Sequence, residues 1–376
     1  HGGGTDDRSV RIAHALARQG LKIWLAGPSG REFSLIARDL GLSFHETPIG
    51  PLRLPLILDI AKFIRRERVQ IIHARHGRDY WPAIFAAKLS RTRPKIVLSR
   101  HLAKSPGSWL SRRFLLSQCD ALVAVSHFVA KVLRDGHADP QSDNPERHLR
   151  LPMRGDFSKI HVAYGGFDMT RFSPADAAPQ RAAWGLHAGD FAFGVVGGYS
   201  FPRGKGQPEF LRAAALVRDE IPEARFLIIG RGNMRAALEK QIHDHGLQRV
   251  AWLTPYCPDM AAGFNALDCL VLPQVGTEAI PGVICEAHAC GRPAIATDLD
   301  GIPEAFAPGG YGELIRPGSI KDLAAAMKRW ARTQKPDLHS RWHIHEKVAS
   351  VFSLEKAARE LAGLYELLLG SASGKN

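Results

Sequence analysis

Cysteine is scarce in this chain of 376 residues, and the cysteines form no pattern. The five that occur lie apart, include no Cys-x-x-Cys pair and are odd in number, which argues against a disulfide framework or a zinc site. No apolar run approaches the roughly 18 residues that a membrane-spanning helix needs, and no signal peptide opens the sequence. We therefore expect buried thiols in a cytosolic protein.

Acidic residues are scarce in the first half of the chain. Residues 1–172 contain 28 Lys and Arg against 15 Asp and Glu, whereas the remainder contains 22 of each, so the whole net charge of +13 lies in the first half. Such a half could face an anionic membrane surface or an acidic glycan, or it could be an ordinary arginine-rich surface. Its basic residues lack interleaved aromatics and any recognisable nucleic-acid module, so we expect no nucleic-acid partner.

Short apolar runs alternate with amphipathic helical patterns along the whole chain. This alternation predicts an α/β fold with doubly wound parallel sheets, and the length allows two domains. We place an N-terminal domain at 1–172, a C-terminal domain at 190–352 and a last helix within 353–376. The last helix has one apolar stripe, formed by Leu361, Leu364, Tyr365 and Leu368.

Two carboxylates lie in a segment that follows the strand-like run 269–273. Glu278 falls in the loop, and Glu286 falls about one turn into a helix that Pro281 and Gly282 would begin. In open α/β sheets this end of a strand binds ligands. Carboxylates accept hydrogen bonds from ligand hydroxyls, and the helix N-terminus suits a phosphate, which together indicate a sugar nucleotide.

A second strand-to-helix loop, 198–206, is rich in glycine and has two cations. Arg203 and Lys205 can neutralise a diphosphate and the charge that develops as it leaves. The expected ligand edge would then combine cations for phosphates with carboxylates for hydroxyls.

The acidic segment resembles the hallmark of the retaining GT-B glycosyltransferases, above all family 4. That hallmark is Glu, seven residues, Glu, then Gly-x-Pro, present here at 291–293, and Gly-x-Pro-Glu, present at 301–304. The stretch 165–174 also resembles the interdomain signature of the family, with Gly165 in place of the usual Asn. The resemblance implies two Rossmann-like doubly wound domains that face a cleft, with the acceptor bound by the first and the nucleotide sugar by the second.

The resemblance also assigns roles to individual residues. In the family position of a phosphate-binding arginine this chain has Tyr199, so Arg203 would substitute. His101 matches a histidine that faces the donor sugar. We predict as catalytic His101, Glu278, Lys205 and Arg203. We predict as donor-binding Gly3, Gly4, Gly198, Arg203, Lys205, Gly230, Arg231, Pro255, Glu278, Ile280, Pro281, Gly282, Val283 and Glu286. We place on the acceptor side His73, His76 and Arg78.

In the resembled family a first strand precedes the glycine loop that Gly3 and Gly4 would form. That strand is missing here, and we interpret this as truncation upstream. We identify no Asp-x-Asp site near the ligand edge, so we expect no metal and no other cofactor.

The implied reaction transfers a hexose from a UDP- or GDP-linked sugar to a hydroxyl of a glycan or glycolipid. Lipopolysaccharide or another envelope glycan is the expected product, made by a protein at the cytoplasmic face of the membrane. A nucleotide-sugar epimerase of the same fold remains an alternative, as does, less favoured, a basic nucleic-acid-binding protein. A nicotinamide-dependent oxidoreductase is disfavoured, because neither glycine-rich turn has G-x-G-x-x-G followed by an acidic residue.

Overall fold

A computed structural model describes residues 4–50, 52–138, 149–201, 204–255 and 257–370. The chain divides into two compact units. Unit 1 comprises 1–168 and 352–376, and unit 2 comprises 169–351. Residues 173–189, left between the two predicted domains, therefore lie in unit 2. Within the described residues, no helix is both long enough and apolar enough to cross a membrane.

The described part of unit 1 contains the strands β1 to β8, at Trp24–Gly27, Ser43–Glu46, Ile71–Ala74, Lys95–Arg100, Ala121–Ala124, His137–Ala138, Leu149–Arg150 and Ile160–Val162. Four of them form a parallel sheet in the order β3-β4-β5-β8. The others form a parallel pair, β1-β2, and a short antiparallel pair, β6-β7. The helices α1 to α6 are Gly4–Arg18, Glu32–Asp39, Leu54–Glu67, Tyr80–Leu89, Trp109–Gln118 and His127–Asp135.

The last helix of the chain packs in unit 1, against α1 and the central strands. Its apolar stripe buries Leu361 and Tyr365 beside Ile12 and Leu16 of α1. Leu364 and Leu368 of the stripe are partly buried against the same cluster. The amphipathic spacing of this helix thus supplies one wall of the core of unit 1.

The strands β9 to β14 of unit 2 are Phe191–Val196, Ala224–Ile229, Ala251–Leu253, Cys269–Leu272, Ala294–Thr297 and Gly312–Ile315. They form a parallel sheet of six strands in the order β11-β10-β9-β12-β13-β14. The chain adds strands on one side of β9 and then continues from β12 on its other side. The boundary between β9 and β12 is therefore the topological switch point, where open α/β sheets form their ligand crevice.

Helices alternate with the strands of unit 2 and cover its sheet. The helices α7 to α14 are Ala178–Ala183, Gln207–Val217, Arg235–Asp244, Met260–Ala266, Gly282–Ala289, Ile302–Phe306, Ile320–Ala331 and Leu338–Phe352. The helix α15, Leu354–Gly370, lies in unit 1. Strands β9 and β12 are buried along their whole length, as their unbroken apolar runs predict. This confirms the predicted α/β class with parallel sheets in two units.

The sequence prediction missed several elements of unit 2. It did not place the helices α7, α12 and α14 or the strand β14, and it indicated α8 only as the helix that follows the loop 198–206. In unit 1 the structure also contains the short pair β6-β7, which the sequence pattern does not predict. Two-residue strands have too little periodicity to be recognised from sequence.

Candidate functional site

The predicted lysine and glutamate meet at the switch point of unit 2. Lys205 lies in the loop between β9 and α8, and Glu278 lies in the loop between β12 and α11. The Nζ of Lys205 contacts the Oε2 of Glu278 as a hydrogen-bonded ion pair. The side chains are 33% and 14% exposed, so both remain accessible to a ligand. Residues that the sequence placed on separate loops thus form one site.

Glycine allows the two turns after β9 and β10 to touch. Gly230 has φ +151°, and a Cβ there would lie 2.1 Å from the carbonyl oxygen of Gly197. The N–H of Tyr199 donates to the carbonyl of Arg231 at 3.2 Å, which joins the turns behind Gly198. A side chain at position 230 would force the turns apart, so the close approach requires glycine.

The lysine loop also lies directly against the end of β12. Gly206, next to Lys205, has φ +85°, and a Cβ at this position would be 2.3 Å from the carbonyl oxygen of Pro273. Pro273 immediately follows β12, the strand that leads to Glu278. This backbone contact fixes the separation of the two loops that present the ion pair.

The loop of Glu278 is held by the loop that follows β13. The N–H of Glu278 donates to the Asp300 carboxylate at 3.3 Å, and the N–H of Gly301 donates to the Glu278 carbonyl at 3.1 Å. Asp300 has φ +52°, an uncommon conformation for a residue with a side chain. The Gly-x-Pro-Glu stretch thus positions the backbone of Glu278.

Asp300 belongs to an Asp-x-Asp triplet, Asp298-Leu299-Asp300, that follows β13. The expectation that no Asp-x-Asp site lies near the ligand edge is therefore wrong. The Asp300 carboxylate is engaged with the backbone of Glu278. Among the residues that the structure describes, no group of three or more His, Cys, Asp or Glu is arranged to hold a metal ion. The expectation that no metal is needed stays a prediction.

The second predicted carboxylate lies on α11. Pro281 precedes this helix, and Gly282 and Val283 form its first turn. Pro281 is buried, whereas Ile280 and Glu286 are half-buried. The helix therefore begins beside the Glu278 loop, with its positive N-terminal end at the carboxyl edge of the sheet.

The Gly-x-Pro stretch at 291–293 serves packing. Gly291 has φ +67° and lies against Arg341 of α14. The buried Arg292 donates through a guanidinium N–H to the carbonyl of Asn265, and burial lowers its pKa to about 10. The Gly-x-Pro stretch therefore contacts α14 through Gly291 and α10 through Arg292.

Some predicted donor-binding residues are exposed, and others lie outside the residues that the structure describes. Arg231 and Pro255 are exposed, after β10 and β11 respectively. Gly4 begins α1. Gly3 and Arg203 lie outside the described residues, so their predicted roles stay predictions.

In unit 1, His101 follows β4 directly at the carboxyl edge of the sheet. Its Nε2 is buried and has no hydrogen-bond partner among the described residues. Burial holds the pKa of His101 well below its ordinary value, and the neighbouring Arg75 and His76 add to this effect. The imidazole is therefore neutral near pH 7, with a buried ring nitrogen that can bond to a ligand.

Three other predicted residues follow β3 or lie within it. His73 donates or accepts through both ring nitrogens, 2.6 Å from the Tyr365 hydroxyl and 2.7 Å from the Ser99 hydroxyl. Because both nitrogens are engaged within unit 1, we no longer assign His73 to acceptor binding. His76 precedes a short 3-10 turn and is half-buried, and Arg78 is exposed within it, with its Nε 3.8 Å from the Asp79 carboxylate.

Arg75, which is not among the predicted site residues, lies between His73 and His76 and directly follows β3. The Nε of Arg75 is buried without a hydrogen-bond partner among the described residues. The available signal was its position, because a cation directly after an apolar strand lies at the ligand edge of a parallel sheet.

Two family models match the chain. The model described as Glycosyltransferase Family 4 matches residues 2–142, and the model described as Glycosyl transferases group 1 matches residues 190–333. The first therefore falls in unit 1 and the second in unit 2.

Curated relatives match in part or over the whole chain. The D-inositol 3-phosphate glycosyltransferase of Pseudarthrobacter chlorophenolicus is 32% identical over 179 residues, 46% of this chain and 42% of that protein. The N-acetyl-alpha-D-glucosaminyl L-malate synthase of Bacillus anthracis is 24% identical over 390 residues, 99% of this chain and 96% of that protein. The match thus spans less than half of the first relative and nearly all of the second.

Solved structures share the fold over nearly the full length. A glycosyltransferase from Rickettsia africae has a TM-score of 0.80 at 19% identity, with 98% of this chain and 95% of that chain covered. The Anabaena protein HepE in complex with UDP and glucose has a TM-score of 0.77 at 18% identity, with 97% and 96% covered. At these identities the likeness shows the fold.

Proposed function

The chain belongs to the GT-B glycosyltransferases, with a Glycosyltransferase Family 4 domain followed by a Glycosyl transferases group 1 domain, and from this premise we propose that it transfers a hexose from a nucleoside-diphosphate sugar to an acceptor hydroxyl with retention at the anomeric carbon. The observation that carries this proposal is the contact between Lys205 and Glu278 at the switch point of unit 2. It presents a cation for phosphates and a carboxylate for hydroxyls in one place.

The residues of unit 2 would act on the donor. Lys205 stabilises the diphosphate as the bond from its oxygen to the anomeric carbon breaks. Glu278 accepts hydrogen bonds from sugar hydroxyls, and Glu286 does the same for the ribose. The first turn of α11 and its preceding loop, with Ile280 and Val283, supply backbone N–H groups to the phosphates. Gly198, Gly230, Arg231 and Pro255 border the nucleotide.

We propose a front-face reaction without a carboxylate nucleophile. The acceptor oxygen forms the new bond to the anomeric carbon on the face that the diphosphate leaves. The acceptor proton passes to an oxygen of the departing phosphate, and the products are a glycoside and a nucleoside diphosphate. His101 orients the sugar through its neutral ring, and His76 and Arg78 are kept on the acceptor side. Lys205 and backbone N–H groups carry the charge that a metal would otherwise neutralise, so activity should survive EDTA.

Donor and product are tested together. Thermal shifts with UDP-, GDP- and ADP-glucose identify the nucleotide, because a ligand that binds the folded chain raises the melting temperature. UDP is our first candidate, since the HepE structures contain UDP and UDP-glucose. NMR of the product then gives the anomeric configuration. Inversion would overturn the retaining mechanism, and absence of any shift or turnover would overturn the activity.

We propose an envelope glycan or glycolipid as acceptor, including a lipopolysaccharide precursor, and a cytoplasmic protein that contacts the membrane peripherally. Support comes from the excess of 13 positive charges in residues 1–172. The relatives act, by name, on inositol 3-phosphate and L-malate, which are small acidic acceptors. Cosedimentation with anionic and neutral vesicles tests the membrane contact: binding only to anionic vesicles at low salt supports it, and equal recovery with both contradicts it.

A further inference from the structure

Arg75 is a partly buried cation that has no counter-ion among the residues that the structure describes. It follows β3 directly, at the carboxyl edge of the sheet. Its Nε is buried and has no hydrogen-bond partner, and no carboxylate of the described residues pairs with the guanidinium. Burial lowers its pKa, and Arg8 acts in the same direction. A buried charge left without a partner costs stability, so its retention calls for an explanation.

Arg100 shows how this sheet satisfies an arginine whose role is structural. It ends β4, the neighbouring strand, and is 6% exposed. Its Nε donates to the Lys104 carbonyl at 2.7 Å, and a terminal N–H donates to the Ser105 carbonyl at 3.2 Å. The same edge therefore contains one arginine that is bonded to the chain and one whose Nε has no partner among the described residues.

Arg75 lines an open pocket in unit 1. Ser99, Tyr164 and Gly165 contribute other parts of its wall, together with apolar residues from α1, β5 and α15. A guanidinium in such surroundings forms strong, charge-assisted hydrogen bonds with a phosphate or a carboxylate.

Two arginines contribute positive charge near this pocket. His101 places a second buried nitrogen, unbonded among the described residues, near Arg75, and both Arg75 and Arg8 lower the pKa of His101 besides burial. The positive charge at this edge of the sheet suits an anion.

We propose that Arg75 binds a phosphate or carboxylate group of the acceptor. That the bound molecule is the acceptor rests on the function proposed above, whereas the anion site rests on Arg75 itself. Lys205 in unit 2 is the proposed cation for the diphosphate of the donor. Arg75 is therefore available for a second anion. The expected acceptor thus has a hydroxyl group and a phosphate or carboxylate group, either as a free molecule or as part of a glycolipid.

Inorganic phosphate is the probe. The full chain is saturated with the nucleoside diphosphate that binds best and then titrated with phosphate at constant ionic strength. The wild-type melting temperature should rise with phosphate, and in Arg75→Met the rise should disappear. Without phosphate, Arg75→Met should melt at the wild-type temperature or above it, because the change removes an unpaired buried charge. Arg75→Lys should restore part of the phosphate response.

Arg100→Met is the matched control. It should lower the melting temperature without phosphate, because two backbone carbonyls lose their donor, and it should keep the phosphate response. Nucleotide affinity should be the same in wild type and Arg75→Met. A tenfold loss of nucleotide affinity in Arg75→Met would assign Arg75 to donor binding and overturn the proposal. The proposal would also be overturned if phosphate did not raise the melting temperature of wild type, or if it raised that of Arg75→Met equally. Failure of the proposed transferase activity shows separately, as no sugar turnover with the phosphate response intact.

Discussion

The ammonium of Lys205 contacts the carboxylate of Glu278 across 73 positions of sequence. The contact exists because β9 and β12 are neighbours in a parallel sheet, so the loops after them emerge at one edge. A cation and a carboxylate that are both partly exposed at this edge can each turn to a ligand. The proposed donor site depends on this pair and on the backbone that spaces it.

Gly206→Ala should disturb that spacing. The new Cβ would lie 2.3 Å from the Pro273 carbonyl oxygen at φ +85°, so the lysine loop must move away from β12. We expect a loss of about 2 to 4 kcal/mol in the free energy of unfolding and a raised KM for the donor. Denaturant unfolding and steady-state kinetics measure the two effects. Gly189→Ala is the control, because a Cβ there meets nothing within 4 Å; equal behaviour of both variants would contradict the assignment.

Tyr365→Phe tests the reassignment of His73. The Tyr365 hydroxyl is 2.6 Å from Nδ1 of His73, so its removal leaves a ring nitrogen unsatisfied. We expect a loss of about 1 to 2 kcal/mol in the free energy of unfolding, with kcat changed less than about twofold. Glu366→Gln, an exposed neighbour on α15, serves as the control. A large drop in kcat with unchanged stability would show that His73 takes part in the reaction.

Stability should fall on acidification because of buried histidines. His288 donates from Nε2 to the Tyr311 carbonyl at 2.9 Å, and burial lowers its pKa to about 4. The unfolded chain takes up this proton below about pH 6.5, whereas the folded chain resists it down to about pH 4. The free energy of unfolding therefore decreases as the pH falls from about 6.5 to about 4. His288 alone should account for about 2 kcal/mol between pH 7 and pH 5.

His288→Gln provides the comparison for that loss. The amide can still donate to the Tyr311 carbonyl but does not titrate, so the variant should lose less stability between pH 7 and pH 5. Urea unfolding at both pH values measures the difference. His73 and His101, whose pKa values are also lowered by burial, would supply the remaining pH dependence. An identical pH dependence in His288→Gln and wild type would show that His288 does not contribute.

The sequence predicted the fold and the placement of Lys205 and Glu278 at one ligand edge, because both follow from strand order and local pattern. Apolar runs revealed β9 and β12, and their carboxyl ends fixed where the loops meet. It could not predict that His73 binds Tyr365, 292 positions away, because that bond depends on how α15 packs. It likewise missed Arg75, since a buried nitrogen without a partner is a property of the tertiary structure.

Turnover of two variants tests the central claim most directly. Lys205→Ala and Glu278→Gln should each reduce kcat by at least about a hundredfold, as removal of a group that stabilises the transition state does. Lys240→Ala is the matched control, because Lys240 pairs with Asp244 on the exposed side of α9. Release of nucleoside diphosphate, measured with the preferred donor and acceptor, should collapse in the first two variants and stay at the wild-type rate in the third. Near-normal rates in both Lys205→Ala and Glu278→Gln would contradict the account.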